Sequence, residues 1–348
     1  MPPSFQQLMA DATRLTRAGD LHAATAAIQA ALHGSSPSAD AAASVIDVEA
    51  REVRVERDIE APVPPPRPSG DAGRFIAGCH VHAAGTRDYK LYVPPGYQGQ
   101  PLPLVVMLHG CTQNPDDFAI GTRMNEAAIE RGFFVLYPAQ AQNANASRCW
   151  NWFKHNHQRR GRGEPALLAD LTREVVGRYG MDDKRVYVAG LSAGGAMAAI
   201  LGEAYPDIFA AVGVHSGLPP RSATNAKTAF DVMQRGAPTG AEPVAGAAPA
   251  IVFHGDQDRI VHPTNGQQIV AARAGATTPE TELKRSKGGR GVTRHIYRDA
   301  DGQVMAEHWI VHGAGHAWAG GSPHGSYTDP KGPDATEEML RFFFARLR

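Results

Sequence analysis

Between residues 73 and 348, short unbroken apolar runs alternate with longer stretches in which apolar residues recur every three or four positions. Runs of the first kind mark strands buried on both faces of a parallel sheet, and stretches of the second kind mark helices packed against it. Strands are expected at Tyr89 to Val93, Leu102 to Leu108, Phe133 to Tyr137, Arg185 to Ala189, Ala211 to Val214 and Ala250 to Phe253. Two more fall within residues 293–311. Helices are expected at Asp116 to Arg131, 164–179, Ala193 to Ala204 and 334–347. This alternation predicts a doubly wound, mostly parallel α/β sheet.

The pattern upstream is different. Phe5, Leu8, Met9, Ala12 and Leu15 recur at helical spacing, Gly19-Asp20 interrupts, and Leu21, Ala24, Ile28, Ala31 and Leu32 resume the stripe. A small helical hairpin over residues 1–34 follows, with one apolar face that packs on the main domain or docks on a partner or an apolar particle. Residues 35–72 are rich in Ser, Ala and charge and end in the proline run from Ala61 to Pro68. They read as a linker of extended polyproline character, which leaves residues 73–348 as the catalytic-size domain.

Charge narrows the function classes. Lys plus Arg and Asp plus Glu both number 35, so no global field draws the chain to nucleic acid or an anionic membrane. The basic run Lys284 to Arg290 reads as a solvated loop, since no aromatic residue interleaves it. The first fifteen residues carry neither a basic nor an apolar leader segment, and no apolar run approaches the roughly 18 residues of a membrane span. Three cysteines are too few for a disulfide framework, so the expected location is the cytoplasm.

The chemistry centres on Gly190-Leu191-Ser192-Ala193-Gly194, a G-x-S-x-G match that is weak by itself. Its setting gives it weight: a strand precedes it, a small-residue helix follows, and Ser192 occupies the turn between them, as a nucleophile elbow requires. A serine nucleophile needs a base, and the base needs an orienting acid, in the chain order Ser, acid, His. After the strand ending at Phe253, Asp256 and Asp258 compete for the acid, and the loop spacing favours Asp258. Near the end, His312 closes an apolar strand, while His316 lies in a glycine-rich loop free to reach the elbow. An oxyanion needs amide donors, for which Ala193 and Cys111 are the candidates. Trp150, Trp152 and Trp318 are expected to wall an apolar cleft for the acyl chain, with core packing as the rival reading. Cys149 in the same segment has a third possibility, pairing with Cys111. No zinc spacing is complete around His80/His82 or His155/His157, and no dinucleotide fingerprint is present, so neither metal nor cofactor is expected.

Together, the elbow, His109-Gly110-Cys111-Thr112-Gln113-Asn114, Cys149-Trp150-Asn151-Trp152 and Gly315-His316-Ala317-Trp318 resemble the polyhydroxybutyrate depolymerase family of esterases over roughly residues 73–348. The resemblance implies an α/β-hydrolase fold, a triad of Ser192, Asp258 and His316, and the oxyanion donor at Cys111. It also implies hydrolysis of poly(3-hydroxybutyrate) and its oligomers, although feruloyl and acetylxylan esterases share these motifs. Lacking the leader and the substrate-binding domain of secreted members, the chain resembles an intracellular one, whose N-terminal hairpin would contact a polymer granule.

Overall fold

The computed structural model describes residues 72–238, 245–275 and 277–348. The expected hairpin and nearly all of the expected linker lie outside the described residues. The central feature is a ten-stranded sheet. Its strands are β1 (Arg74–His82), β2 (Gly85–Val93), β3 (Leu104–Leu108), β4 (Phe134–Pro138), β5 (Val186–Leu191), β6 (Ala211–His215), β7 (Ala250–Gly255), β8 (Glu280–Arg285), β9 (Gly291–Arg298) and β10 (Val304–Val311). They lie in the order β1-β2-β4-β3-β5-β6-β7-β10-β9-β8. The six from β4 to β10 in that order are mutually parallel, while β1, β2, β8 and β9 join antiparallel at the two sides.

The parallel strands β3 to β7 are buried along their whole length, which is why they appear in the sequence as unbroken apolar runs. Alternate residues serve two cores. On one face Val106, Val188, Val212 and Val252 meet α3 (Gly163–Tyr179), α4 (Ala193–Ala204), α5 (Ala226–Arg235) and α6 (Thr264–Ala274). On the other, Val105, Tyr187, Ala189 and Phe253 meet α1 (Pro115–Thr122), α2 (Met124–Arg131) and the closing helix α7 (Ala335–Phe344).

Three departures from the sequence pattern have local causes. The helix expected over Asp116 to Arg131 is two helices, because Arg123 turns left-handed (φ 55°), caps α1 through its N–H to Ala119 O, and starts α2. Strand β8 was not foreseen, since as a sheet edge it exposes alternating charges in place of an apolar face. Helices α5 and α6 were also missed: α5 buries only Ala229 and Val232, and the apolar residues of α6 do not gather on one face.

Candidate active site

The strand β5 ends at Leu191 and α4 begins at Ala193, so Ser192 alone makes the turn, with φ 58° and ψ −119°. That conformation costs a non-glycine residue roughly 1–3 kcal/mol and persists only where neighbours hold it. Here the Ser192 N–H donates to His215 O at 2.9 Å, and Ser192 O accepts from Ala196 N at 2.9 Å. The flanking glycines have a steric reason. A Cβ on Gly190 would lie 2.4 Å from the Gly194 carbonyl, and one on Gly194 would lie 2.0 Å from Leu108 O and 2.6 Å from His109 O. Both obstacles on the Gly194 side are backbone, at the last residue of β3 and the one after it, and cannot swing away. Gly194→Ala should therefore lower stability by about 3 kcal/mol or more, read from the denaturant midpoint.

Asp258 sits on the loop after β7 and His316 on the loop after β10, adjacent parallel strands. The His316 Nδ1–H donates to Asp258 Oδ2 at 2.7 Å, leaving Nε2 as the basic nitrogen. The other carboxylate oxygen accepts from the Ile260 and Val261 amides, each at 2.9 Å. Burial pushes the Asp258 carboxyl up, but hydrogen bonds from His254, His316 and the Val261 amide outweigh it and hold the group well below the ordinary carboxylate range. Ser192 and His316 line one apolar cavity of about 240 Å³, together with Cys111, Leu191, Met233 and Ile260. The competing pair from the sequence find each other instead: Asp256 accepts from the His312 ring at 2.9 Å and from the Gly313 amide at 2.7 Å, away from that cavity.

The amides of Cys111 and Ala193 have no hydrogen-bond partner among the described residues, as donors awaiting an oxyanion would not. The Cys111 loop is fixed from three sides. Cys111 is disulfide-bonded to Cys149, Thr112 N donates to Ser147 O at 2.7 Å, and Gln113 Oε1 accepts from Gly110 N at 2.9 Å. Gln113 Nε2 in turn donates to Asp117 Oδ2 at 2.9 Å and Ser326 O at 3.1 Å.

The tryptophans do not wall the cavity. Trp150, Trp152 and Trp318 are all buried in the two cores, and none lines the space beside Ser192. Trp150 and Trp152 share a face, but it is the interior face, and the Trp150 indole N–H donates to His109 O at 3.0 Å, bracing the oxyanion loop from behind. Trp318 stacks on His215 at 5.3 Å and donates to Thr336. The apolar lining beside Ser192 includes Leu191, Met233 and Ile260; Met233 lies on α5, which the sequence pattern does not mark, and Ile260 on the loop that carries Asp258.

Two buried histidines support the site without having been singled out. His254, on β7, donates from Nε2 to Val261 O at 2.9 Å and lies 3.4 Å from Asp258 Oδ2, the oxygen that His316 uses. His215, on β6, accepts from the Ala319 amide at 2.9 Å through Nε2, and burial pushes it down to about 3, so it stays neutral under the elbow. Neither position stands out in a chain holding 15 histidines: His215 acts through Ala319, 104 residues away, and His254 through the turn that folds Asp258 and Val261 back onto it. Among the described residues no group of three or more His, Cys, Asp or Glu could hold a metal ion.

A strained serine between a parallel strand and a helix, with acid and histidine on later strand-end loops, defines the α/β-hydrolase fold. Residues 87–277 match the family model described as Esterase PHB depolymerase, more than half of the chain, and the chain belongs to that family. Poly(3-hydroxyalkanoate) depolymerase C of Paucimonas lemoignei is 30% identical over 237 residues, covering 65% of this chain and 57% of its own length. Feruloyl esterase B of Thermothelomyces thermophilus is 27% identical over 247 residues, 65% of this chain and 82% of that one. The chain thus spans little more than half the length of the depolymerase relative. Among solved structures, an acetyl xylan esterase from Aspergillus awamori superposes with a TM-score of 0.62 at 18% identity, over 78% of this chain and 99% of that one, a likeness of fold.

Proposed function

We propose that the protein is a serine esterase that hydrolyses the ester bonds of poly(3-hydroxybutyrate) and its oligomers. The observation that carries this reading is the His316–Asp258 hydrogen bond at 2.7 Å on the cavity that also exposes strained Ser192. His316 Nε2 takes the Ser192 proton as Oγ attacks the ester carbonyl, and the Cys111 and Ala193 amides receive the oxyanion. The protonated imidazole then passes its proton to the leaving alcohol, and water, activated by the same histidine, releases the hydroxyacid from the acyl-enzyme. Asp258, ionised and fixed by two amides, holds the imidazole in one tautomer throughout.

The small apolar cavity supports a short, branched acyl unit over a bulky aromatic one. The likeness to a feruloyl esterase keeps small aryl and acetyl esters as the rival substrates. Incubation with amorphous poly(3-hydroxybutyrate), feruloyl esters and acetylated xylan separates the readings. We expect 3-hydroxybutyrate and its short oligomers as the main products; release of ferulate or acetate at a hundredfold higher rate would replace the polyester assignment. An inactive, granule-associated protein is a third reading, against which the His316–Asp258 hydrogen bond on the cavity shared with Ser192 weighs. Contact with the polymer particle is assigned to residues 1–34. The Cys111–Cys149 bond favours an oxidising compartment over the expected cytoplasm, and cell fractionation decides between them.

A further inference from the structure

Among the described residues that line the cavity beside Ser192, one side-chain donor is used by neither the chemistry nor the scaffold. Ser192 and His316 are taken by the proposed reaction. Both ends of the Gln113 amide are bonded, to Gly110 on one side and to Asp117 and Ser326 on the other. That leaves Tyr327, whose side chain is 48% exposed at the edge of the cavity. Its hydroxyl meets Thr112 Oγ1 at 3.3 Å. Thr112 already gives its own proton to Cys111 O at 2.6 Å, so Tyr327 is the donor in that contact. The ordinary O–H···O length is roughly 2.7–2.8 Å, and a bond this much longer is readily exchanged for a better acceptor.

The backbone at Tyr327 is left-handed (φ 52°), a conformation that a bulky side chain adopts only under constraint. The constraint comes from the two loops that carry the catalytic groups. Tyr327 O accepts from the amide of Trp318, two residues after His316, at 2.7 Å. Next to it, Ser326 O accepts at 3.1 Å from Nε2 of Gln113, two residues after Cys111, and Ser326 N donates to Asp117 Oδ1 at 2.8 Å. Strain that surrounding contacts impose in this way gathers where a side chain must be presented in one direction. Here it presents a phenol on the catalytic cavity, against the residue that follows the oxyanion donor.

A poly(3-hydroxybutyrate) chain differs from a simple ester in repeating its carbonyl. The neighbouring ester carbonyl stands four bonds from the one under attack, about 5 Å along an extended chain. Leu191, Met233 and Ile260 can receive the methyl and methylene groups between them but cannot recognise the second carbonyl oxygen. That oxygen only accepts, so the group that recognises it must donate. The Tyr327 hydroxyl is such a donor, and it rests on a Thr112 hydroxyl that itself touches the Cys111 carbonyl, one step along the loop from the oxyanion amide.

We propose that Tyr327 is a specificity-determining residue, its hydroxyl donating to the ester carbonyl next to the one under attack, so that the site selects a polyester segment over a simple ester. The inference rests on the esterase reading and names the group by which that site recognises its substrate. The test compares the wild-type protein with Tyr327→Phe and Tyr327→Asn on three esters: the methyl ester of the 3-hydroxybutyrate trimer, sec-butyl butyrate and p-nitrophenyl butyrate. Sec-butyl butyrate keeps the secondary-alcohol ester and lacks the second carbonyl. The wild type should favour the trimer over sec-butyl butyrate about 10-fold or more in kcat/KM. Tyr327→Phe removes only the hydroxyl and should lower kcat/KM on the trimer about 5-fold more than on either other ester. Asparagine takes the left-handed backbone readily, so Tyr327→Asn keeps the loop while withdrawing the phenol. It should lose the same preference, and it covers the case in which Tyr327→Phe misfolds. Equal wild-type kcat/KM on the trimer and sec-butyl butyrate, or an equal change on all three esters in the folded variants, overturns the role of Tyr327 and leaves the esterase reading standing. Failure of the wild type to hydrolyse p-nitrophenyl butyrate removes the esterase reading, and the role of Tyr327 with it.

Discussion

Ser192→Ala should reduce turnover of p-nitrophenyl butyrate by at least about 10⁴-fold while leaving a folded protein. The size follows from the mechanism: without Oγ there is no acyl-enzyme, and what remains is the oxyanion site and binding alone. Folding should survive because the Ser192 side chain makes no hydrogen bond among the described residues. Its strained backbone is instead held by the His215 and Ala196 contacts of its main chain, which alanine keeps. A change in stability within about 1 kcal/mol is expected, measured as the urea midpoint. Substantial residual activity at normal stability would mean that another group attacks the ester.

The second large effect distinguishes two aspartates only two residues apart. Asp258→Asn should lower kcat about 10⁴-fold, because an amide facing His316 Nδ1 no longer enforces the tautomer that leaves Nε2 basic. Asp256→Asn should change kcat less than about 3-fold, since Asp256 joins only His312 and Gly313 at a partly exposed loop. Stability carries a matching signature. Asp258 is held below the ordinary carboxylate range in the folded protein, so it contributes stability above its unfolded value near pH 4, and that contribution is lost as pH falls toward its folded value. The melting-temperature gap between wild type and Asp258→Asn should thus be widest near neutrality and narrow below about pH 4. A gap independent of pH would show that the carboxylate is not specially stabilised.

What the sequence makes legible is what one segment can carry alone. The elbow is such a case: strand, turn serine, small-residue helix and flanking glycines are all contiguous, and the structure places Ser192 where that pattern requires. The central strands are equally plain, because burial on both faces removes polar residues from them. Asp258 and His316 could be reached through loop position, and the rejected Asp256 and His312 proved to be partners of each other. The tryptophans were misread because a core and an apolar cleft ask for the same residue type, and shared parity cannot say which interior a face meets. The supports Gln113 and His215 are hidden for a different reason. Their roles arise from contacts with Ser326 and Ala319, 213 and 104 residues away, which no local periodicity records.

The most direct test of the central claim is covalent labelling with a fluorophosphonate, which reacts with a serine activated by its own base and oxyanion donors. We expect a single adduct, mapped by mass spectrometry to the peptide containing Ser192, formed rapidly by the wild type and not by His316→Ala. Absence of an adduct in the folded wild-type protein, or an adduct on a serine other than Ser192, would contradict the account.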